Sequence, residues 1–204
     1  MRQNHSNKIN SRKIILASTS PRRRQLFEEA GFWFDVVSLP FEEKYPQDMP
    51  AYHIAEYLAK EKSKEARSMI QGDEILLTAD SIVVLGDKVF GKPVDFEDAY
   101  KILATLSGKK HLVYTGICLS DLSKSICFTS KSEVFFREMT HDEINWYIRE
   151  FEPFDKAGAY AVQEWIGLCK ISQIHGTYSN IMGLPTDLVY EGLKNFDGAI
   201  VFPQ

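Results

Sequence analysis

The chain has 204 residues, 44% of them hydrophobic, and a formal net charge of -4. That size and apolar share allow one globular domain, or two small lobes on a shared core, and make disorder the wrong default. The mildly acidic balance tells against a protein that lives by coating nucleic acid. Cys118, Cys127 and Cys169 are three and widely spaced, so they form neither a disulfide framework nor a zinc pattern and read as buried thiols of a reducing cytosol. No apolar run approaches the ~20 residues of a membrane span. The expected location is the cytoplasm, without membrane association.

Residues 1–12 are polar, lack an apolar signal core and read as a disordered tail before a single domain over 13–204. Lys13 to Ala17 is a short buried strand. Ser18-Thr19-Ser20-Pro21 offers cap hydroxyls and a first-turn proline, so a helix is expected to run to Ala30 and end at Gly31. Phe32 to Leu39 is extended. Ala51 to Ile70 is helical, with Ile54, Leu58, Ala66 and Ile70 at multiples of four. Ile75 to Leu85 is nearly all apolar, as in a strand buried on both faces. Gly86-Asp87 turns the chain into a short return through Val89 and Phe90. Asp95 caps a helix to Leu106, strands follow at His111–Leu119 and Ile126–Phe136, and Thr140 opens a helix with acids in its first turn. A last helix spans Pro185 to Leu193. Alternation of strands and helices, with adjacent extended runs in the middle, predicts an α/β fold with a mixed sheet.

The informative residues are polar ones where burial is expected, because a buried charge needs a partner or a task. Hydroxyls and open N–H groups at a helix start make an anion site, and Arg22 and Arg23 in that first turn oppose the helix dipole unless an anion is there. The segment is not a P-loop, since the glycine–lysine arrangement is missing. Asp80 lies within an apolar strand, as a structural partner, a metal ligand or a base. Lys62 sits on the apolar stripe of its helix; on its own it reads as a lysine snorkelling to solvent. Lys92 follows Gly91 and precedes Pro93, where it could meet a phosphate or simply lie exposed. The small residues from Ala157 to Ala161 permit close backbone approach, and Gln163 carries an amide suited to a base edge, or the block is a tight structural turn. Glu42-Glu43 is a loop pair, either solvated or a metal contact.

At this point the sequence resembles a known family. Leu16-Ala17-Ser18-Thr19-Ser20-Pro21-Arg22-Arg23, Ala79-Asp80-Ser81-Ile82-Val83, Gly91-Lys92-Pro93, Leu106-Ser107-Gly108 with His111 and Thr115-Gly116, Asp155 to Gln163, and Gly183-Leu184-Pro185 are similar, in order, to the Maf (septum-formation-inhibitor) family. The resemblance implies an elongated mixed sheet with flanking helices and two lobes around a central cleft. It implies hydrolysis of a nucleoside triphosphate to the monophosphate and pyrophosphate, with a divalent cation such as magnesium or manganese. By position it makes Asp80, Lys62 and Lys92 catalytic, Ser18, Arg22, Arg23, Ser81, Lys156 and Gln163 substrate-binding, and Glu43 with Asp80 metal-holding, so Lys62 leaves its bland reading. The block around Gln163 resembles the branch acting on dTTP and UTP. Ser81 stands for the usual threonine, a small change. Glu164 stands for the usual glycine and is expected to bring a bulky anion near the ligand. A pyrophosphatase of other base preference, and a nucleotide-binding regulator of cell division without turnover, are the alternatives; assembly as a homodimer stays open. An apolar tip at position 62 is expected to suit its helix face, so that Lys62→Met melts no lower than the parent.

Overall fold

The computed structural model describes residues 8–201. Strands are β1 (Ile14–Ala17), β2 (Phe34–Val37), β3 (Ile75–Leu85), β4 (Lys88–Phe90), β5 (Lys110–Ser120), β6 (Ser125–Phe136) and β7 (Ile171–His175). Helices are α1 (Pro21–Glu29), α2 (Ala51–Ala66), α3 (Phe96–Leu106), α4 (His141–Phe151), α5 (Trp165–Cys169), α6 (Tyr178–Met182) and α7 (Thr186–Leu193). The strand order is β2-β1-β3-β5-β6-β7, with β4 on β3. The sheet is mixed: β1 runs parallel to β2 and β3, whereas β4 and β7 run antiparallel to β3 and β6. The expected α/β class with flanking helices is therefore present. The described residues form two compact units, 8–80 with 116–129 and 183–201, and 81–115 with 130–182. The chain passes between them inside β3, after Asp80, and inside β5 and β6.

In the first unit all four residues of β1 are buried, as an uninterrupted apolar strand between two parallel neighbours requires. Parallel pairing needs crossovers, and α1 and α2 supply them. The face of α2 that packs inward carries Ile54, Ala55, Leu58, Ala59, Ser63 and Ala66. A Cβ on Gly116 of β5 would meet the Ala55 backbone at 2.3 Å, so the helix lies directly on that strand. The Thr78 hydroxyl donates to Ala59 O at 2.7 Å, and Ser63 and Ser120 share a hydrogen bond of 2.7 Å. These contacts fix the rotation of α2 about its axis. The last turn of the expected helix tightens into a 3-10 turn over Arg67–Met69, which closes before Ile70.

In the second unit α3 and α4 pack on Val83, Phe90, Val113, Val134 and Phe136. Their starts are those read from sequence. The Asp95 carboxylate accepts from Asp98 N, and Thr140 with Glu143 closes a capping box. Gly158, at φ +72°, sits against Val83 and donates its N–H to Gly91 O at 3.0 Å.

Two expectations change, and one strand carries no sequence signal. Residues 1–7 lie outside the described residues, but the stretch 8–12 is not loose. Asn10 is buried, its amide donates to Trp33 O at 2.9 Å, and Arg12 pairs with Asp121 at 3.2 Å. The cysteines are not three buried thiols either. Cys118 and Cys127 are joined in a disulfide on neighbouring strands, and Cys169 is exposed. Nine residues of separation do not announce a pair until strand register is known. Finally, β7 shows no buried position in its pattern, so an edge strand without an apolar face left little to read.

His111 on β5 gives a test of this packing. It is buried at 1% exposure, bonded through Nε2 to Tyr160 Oη at 2.8 Å and edge-on to Phe136. Burial pushes its pKa down from 6.5 to about 4. The unfolded chain therefore binds a proton that the folded chain refuses between those values, and stability falls as pH drops through that window. The His111 share of the loss is about 2–3 kcal/mol by pH 4.5. Urea unfolding at pH 7 and 4.5 should show a smaller pH-dependent loss in His111→Phe than in the parent by roughly that amount. Equal losses in both proteins would mean His111 takes up its proton in the folded state.

Candidate active site

In the first unit the end of β1 leads straight into a polar turn. Ser18 is buried and its N–H donates to Val37 O at 3.0 Å, which ties the turn to β2. Its hydroxyl accepts from Ser20 N–H at 3.2 Å. Ser20 is the helix cap, accepting from Arg23 N–H, and Pro21 occupies the first helical position. No acid lies in this first turn; Arg22 and Arg23 do. Arg23 donates from Nε to Gly183 O at 2.7 Å and from Nη1 to Ala79 O at 2.8 Å. It thus fastens the carbonyl next to Asp80 to α1. Burial pulls the Arg23 pKa down, against the attraction of Asp80.

The centre of this set is an ammonium between two carboxylates. Lys62 Nζ lies 2.5 Å from Asp80 Oδ1 and 3.6 Å from Glu43 Oε1. The Phe41 ring lies beneath it, 5.1 Å from Nζ. The Lys62 side chain is 13% exposed and that of Asp80 6%. Burial pushes the Asp80 carboxyl above the usual carboxylate range and Glu43 adds to this, while Lys62 and Arg23 pull it back. Asp80 Oδ2 is buried and accepts no hydrogen bond from the described residues. Such an atom is suited to a group from outside: a water proton or a cation.

Asp80 and Glu43 also pass a chemical test for a divalent ion. Among the described residues no group of three or more His, Cys, Asp or Glu could hold a metal. A closed zinc cage is therefore not built here. Magnesium and similar hard cations take one or two carboxylates and complete their shell with water and substrate phosphate, which this donor set fits.

The second unit carries the other expected residues. Ser81 and Thr115 share a hydrogen bond of 2.9 Å, and Thr115 gives its proton to Asn180 O at 3.0 Å. The Ser81 hydroxyl is therefore the donor to Thr115. Lys92 is exposed, on a loop whose Gly91 carbonyl is held by Gly158 N–H. Gln163 has its Oε1 buried without a hydrogen bond from the described residues. Lys156, expected to bind substrate, is held by neighbours within its own unit. It is 7% exposed, and Nζ is met by Asp155 at 2.8 Å, Glu164 at 3.4 Å and Phe151 O at 3.5 Å. Two of these contacts are hydrogen bonds and the Glu164 contact is an ion pair, so the ammonium is engaged internally. Thr115 lies in one of the family-like motifs, but Asn180 gave no signal, being one polar residue in a short segment.

These features define an α/β protein with a buried lysine–carboxylate centre beside a hydroxyl- and arginine-bearing helix start. The sequence profile of the Maf-like protein family matches residues 13–196, and the chain belongs to that family. A Bacteroides thetaiotaomicron dTTP/UTP pyrophosphatase is 46% identical over 183 residues, covering 89% of this chain and 95% of that protein. The Phocaeicola vulgatus protein of the same name is 45% identical over the same shares. One from Flavobacterium psychrophilum is 39% identical, covering 92% of this chain and 96% of its own.

The geometry reverses the expectation for Lys62→Met. Removing the ammonium would strand the Asp80 carboxylate in a nearly dry place. Breaking such a pair costs on the order of 3 kcal/mol. A clear drop in melting temperature is expected, recovered in good part by adding Asp80→Asn. An unchanged melting temperature in the single variant would show that the pair carries no stability.

Proposed function

We propose that this chain hydrolyses dTTP and UTP to the nucleoside monophosphate and pyrophosphate, with Asp80 as the base and a divalent cation held by Glu43 and the phosphates of the substrate. The observation that carries the reading is the buried, unsatisfied Asp80 Oδ2 beside Lys62. The named activity of the relatives agrees with it. We place the reaction in the cytoplasm, where its substrates are found. Among the described residues no helix is long and apolar enough to cross a membrane.

In the proposed reaction a water oxygen attacks the α-phosphorus. The water proton passes to Asp80 Oδ2, and the bond to the bridging oxygen breaks with its electron pair leaving on pyrophosphate. A carboxylate whose pKa is raised accepts such a proton better than an ordinary one. Lys62 and Arg22 offset the negative charge of the phosphate chain, as phosphoryl chemistry chiefly requires. Arg23 keeps Asp80 in place through Ala79. The cation, when bound, supplies charge neutralisation and lowers the pKa of its water.

Base choice falls to Gln163. Uracil and thymine present an N3–H donor beside an O4 acceptor, whereas cytosine presents an acceptor at N3. The buried Oε1 of Gln163 has no donor among the described residues; N3–H supplies one, whereas the N3 of cytosine turns a lone pair towards it. Ser81 lies in the same unit and is proposed to line the substrate.

Pyrophosphate release should be measured with dTTP, UTP, CTP, ATP and GTP, with metal and with chelator. Turnover of dTTP and UTP above the others, abolished by chelator, is expected. Asp80→Asn should cut it about 10²–10⁴-fold with the fold intact. Equal turnover of all bases would remove the role of Gln163. Tight nucleotide binding without turnover would instead favour the regulator.

A further inference from the structure

Glu164 was expected to push an anion towards the ligand; the structure turns it the other way. It precedes α5 in the cap position, yet its side chain makes no capping bond. Its carboxylate is committed to the interior of the second unit. Oε1 is 3.4 Å from the buried Lys156 Nζ, and Oε2 accepts from the hydroxyl of Tyr147, a fully buried residue of α4. The same Tyr147 oxygen accepts the N–H of Ala161 at 3.2 Å. One phenol therefore joins the Glu164 carboxylate to the backbone two residues before Gln163.

The intervening stretch is closed on its other sides too. Glu164 N–H donates back to Ala161 O at 3.2 Å, so Gln163 lies inside a tight turn. Any Cβ on Gly167 would fall 1.7 Å from Val162 O, so the first turn of α5 rests on that carbonyl. Burial and the Glu164 hydrogen bond push the Tyr147 phenol far above its ordinary pKa, so it remains a donor. With the charge of Glu164 offset by Lys156, the carboxylate holds the turn without presenting an anion to a nucleotide.

We propose that Glu164 is a positioning residue for base selection: through Tyr147 and Lys156 it locks the Ala161–Gln163 turn so that the Gln163 amide oxygen is aimed at the N3–H of a uracil or thymine ring. The inference rests on the reading of Gln163 given above. A loosened turn lets the amide rotate, and an amide that can present either its oxygen or its nitrogen accepts cytosine as well. The effect belongs to ground-state recognition, so it appears in KM and in the base ratio rather than in kcat.

The test compares kcat and KM for UTP and CTP in the parent, Gln163→Ala, Glu164→Ala, Glu164→Gln and Tyr147→Phe. Glu164→Ala and Tyr147→Phe should each lower the UTP-over-CTP ratio of kcat/KM about 10-fold, a loss of the size that one misplaced polar contact gives. The loss should come through a higher KM for UTP, with kcat within about twofold. Glu164→Gln, which still accepts from the Tyr147 hydroxyl, should keep most of the ratio. Should Glu164→Ala fail to fold, Tyr147→Phe cuts the same link with little change of shape. If Gln163→Ala collapses the ratio while Tyr147→Phe and Glu164→Ala keep it, the positioning role is wrong and the base reading stands. If Gln163→Ala leaves the ratio unchanged, the base reading itself fails and takes this proposal with it. Lower melting temperature with kcat reduced alike for both nucleotides would show Glu164 to be structural only, which also overturns the proposal.

Discussion

A strand that buries Ile75, Leu76, Leu77, Thr78 and Ala79 in succession carries its next residue, Asp80, into the same dry surroundings. A carboxylate there is stable only if cations meet it, and much of the first unit serves that need. The ammonium of Lys62 reaches it because α2 is pinned to the sheet by Gly116, Thr78 and Ser63. Arg23 reaches the adjacent carbonyl because Ser20 and Pro21 start α1 at the end of β1. Satisfaction is incomplete, since one Asp80 oxygen has no hydrogen-bond partner among the described residues. That unmet oxygen is the atom to which the proposed reaction delivers its proton.

Much of the fold was legible because its signals are local. Caps at Ser20, Asp95 and Thr140 are side-chain-to-backbone contacts within one turn, and each sits where the sequence placed it. The unbroken apolar run of β3 matched a strand buried on both faces. What could not be read depends on register or on neighbours far along the chain. The Cys118–Cys127 bond needs β5 and β6 aligned. The order of Asn10 and Arg12 depends on Trp33 and Asp121, residues that no local pattern connects to them.

The candidate site divides in the same manner. Residue types announced Asp80 and the Ser18–Arg23 turn, since a carboxylate in an apolar strand and arginines at a helix start are both locally unfavourable. Lys62 was singled out only through the family resemblance. Helical spacing shows that it lies on the apolar stripe, but not that a carboxylate waits there. Lys156 and Glu164 show the opposite case. Each looked like a charge offered to a ligand, and each is consumed by the other and by close neighbours. Whether a charged side chain faces a ligand or an internal partner is decided by three-dimensional neighbours, so sequence position alone assigns it poorly.

The central claim is that the set around Asp80 directs water to the α-phosphorus, and isotope placement tests it most directly. UTP should be turned over to a limited extent in water enriched in heavy oxygen, and the products separated for mass spectrometry. The account predicts one heavy oxygen in the nucleoside monophosphate and none in pyrophosphate. Label in pyrophosphate, or release of inorganic phosphate with label, would place the attack on another phosphorus and contradict it.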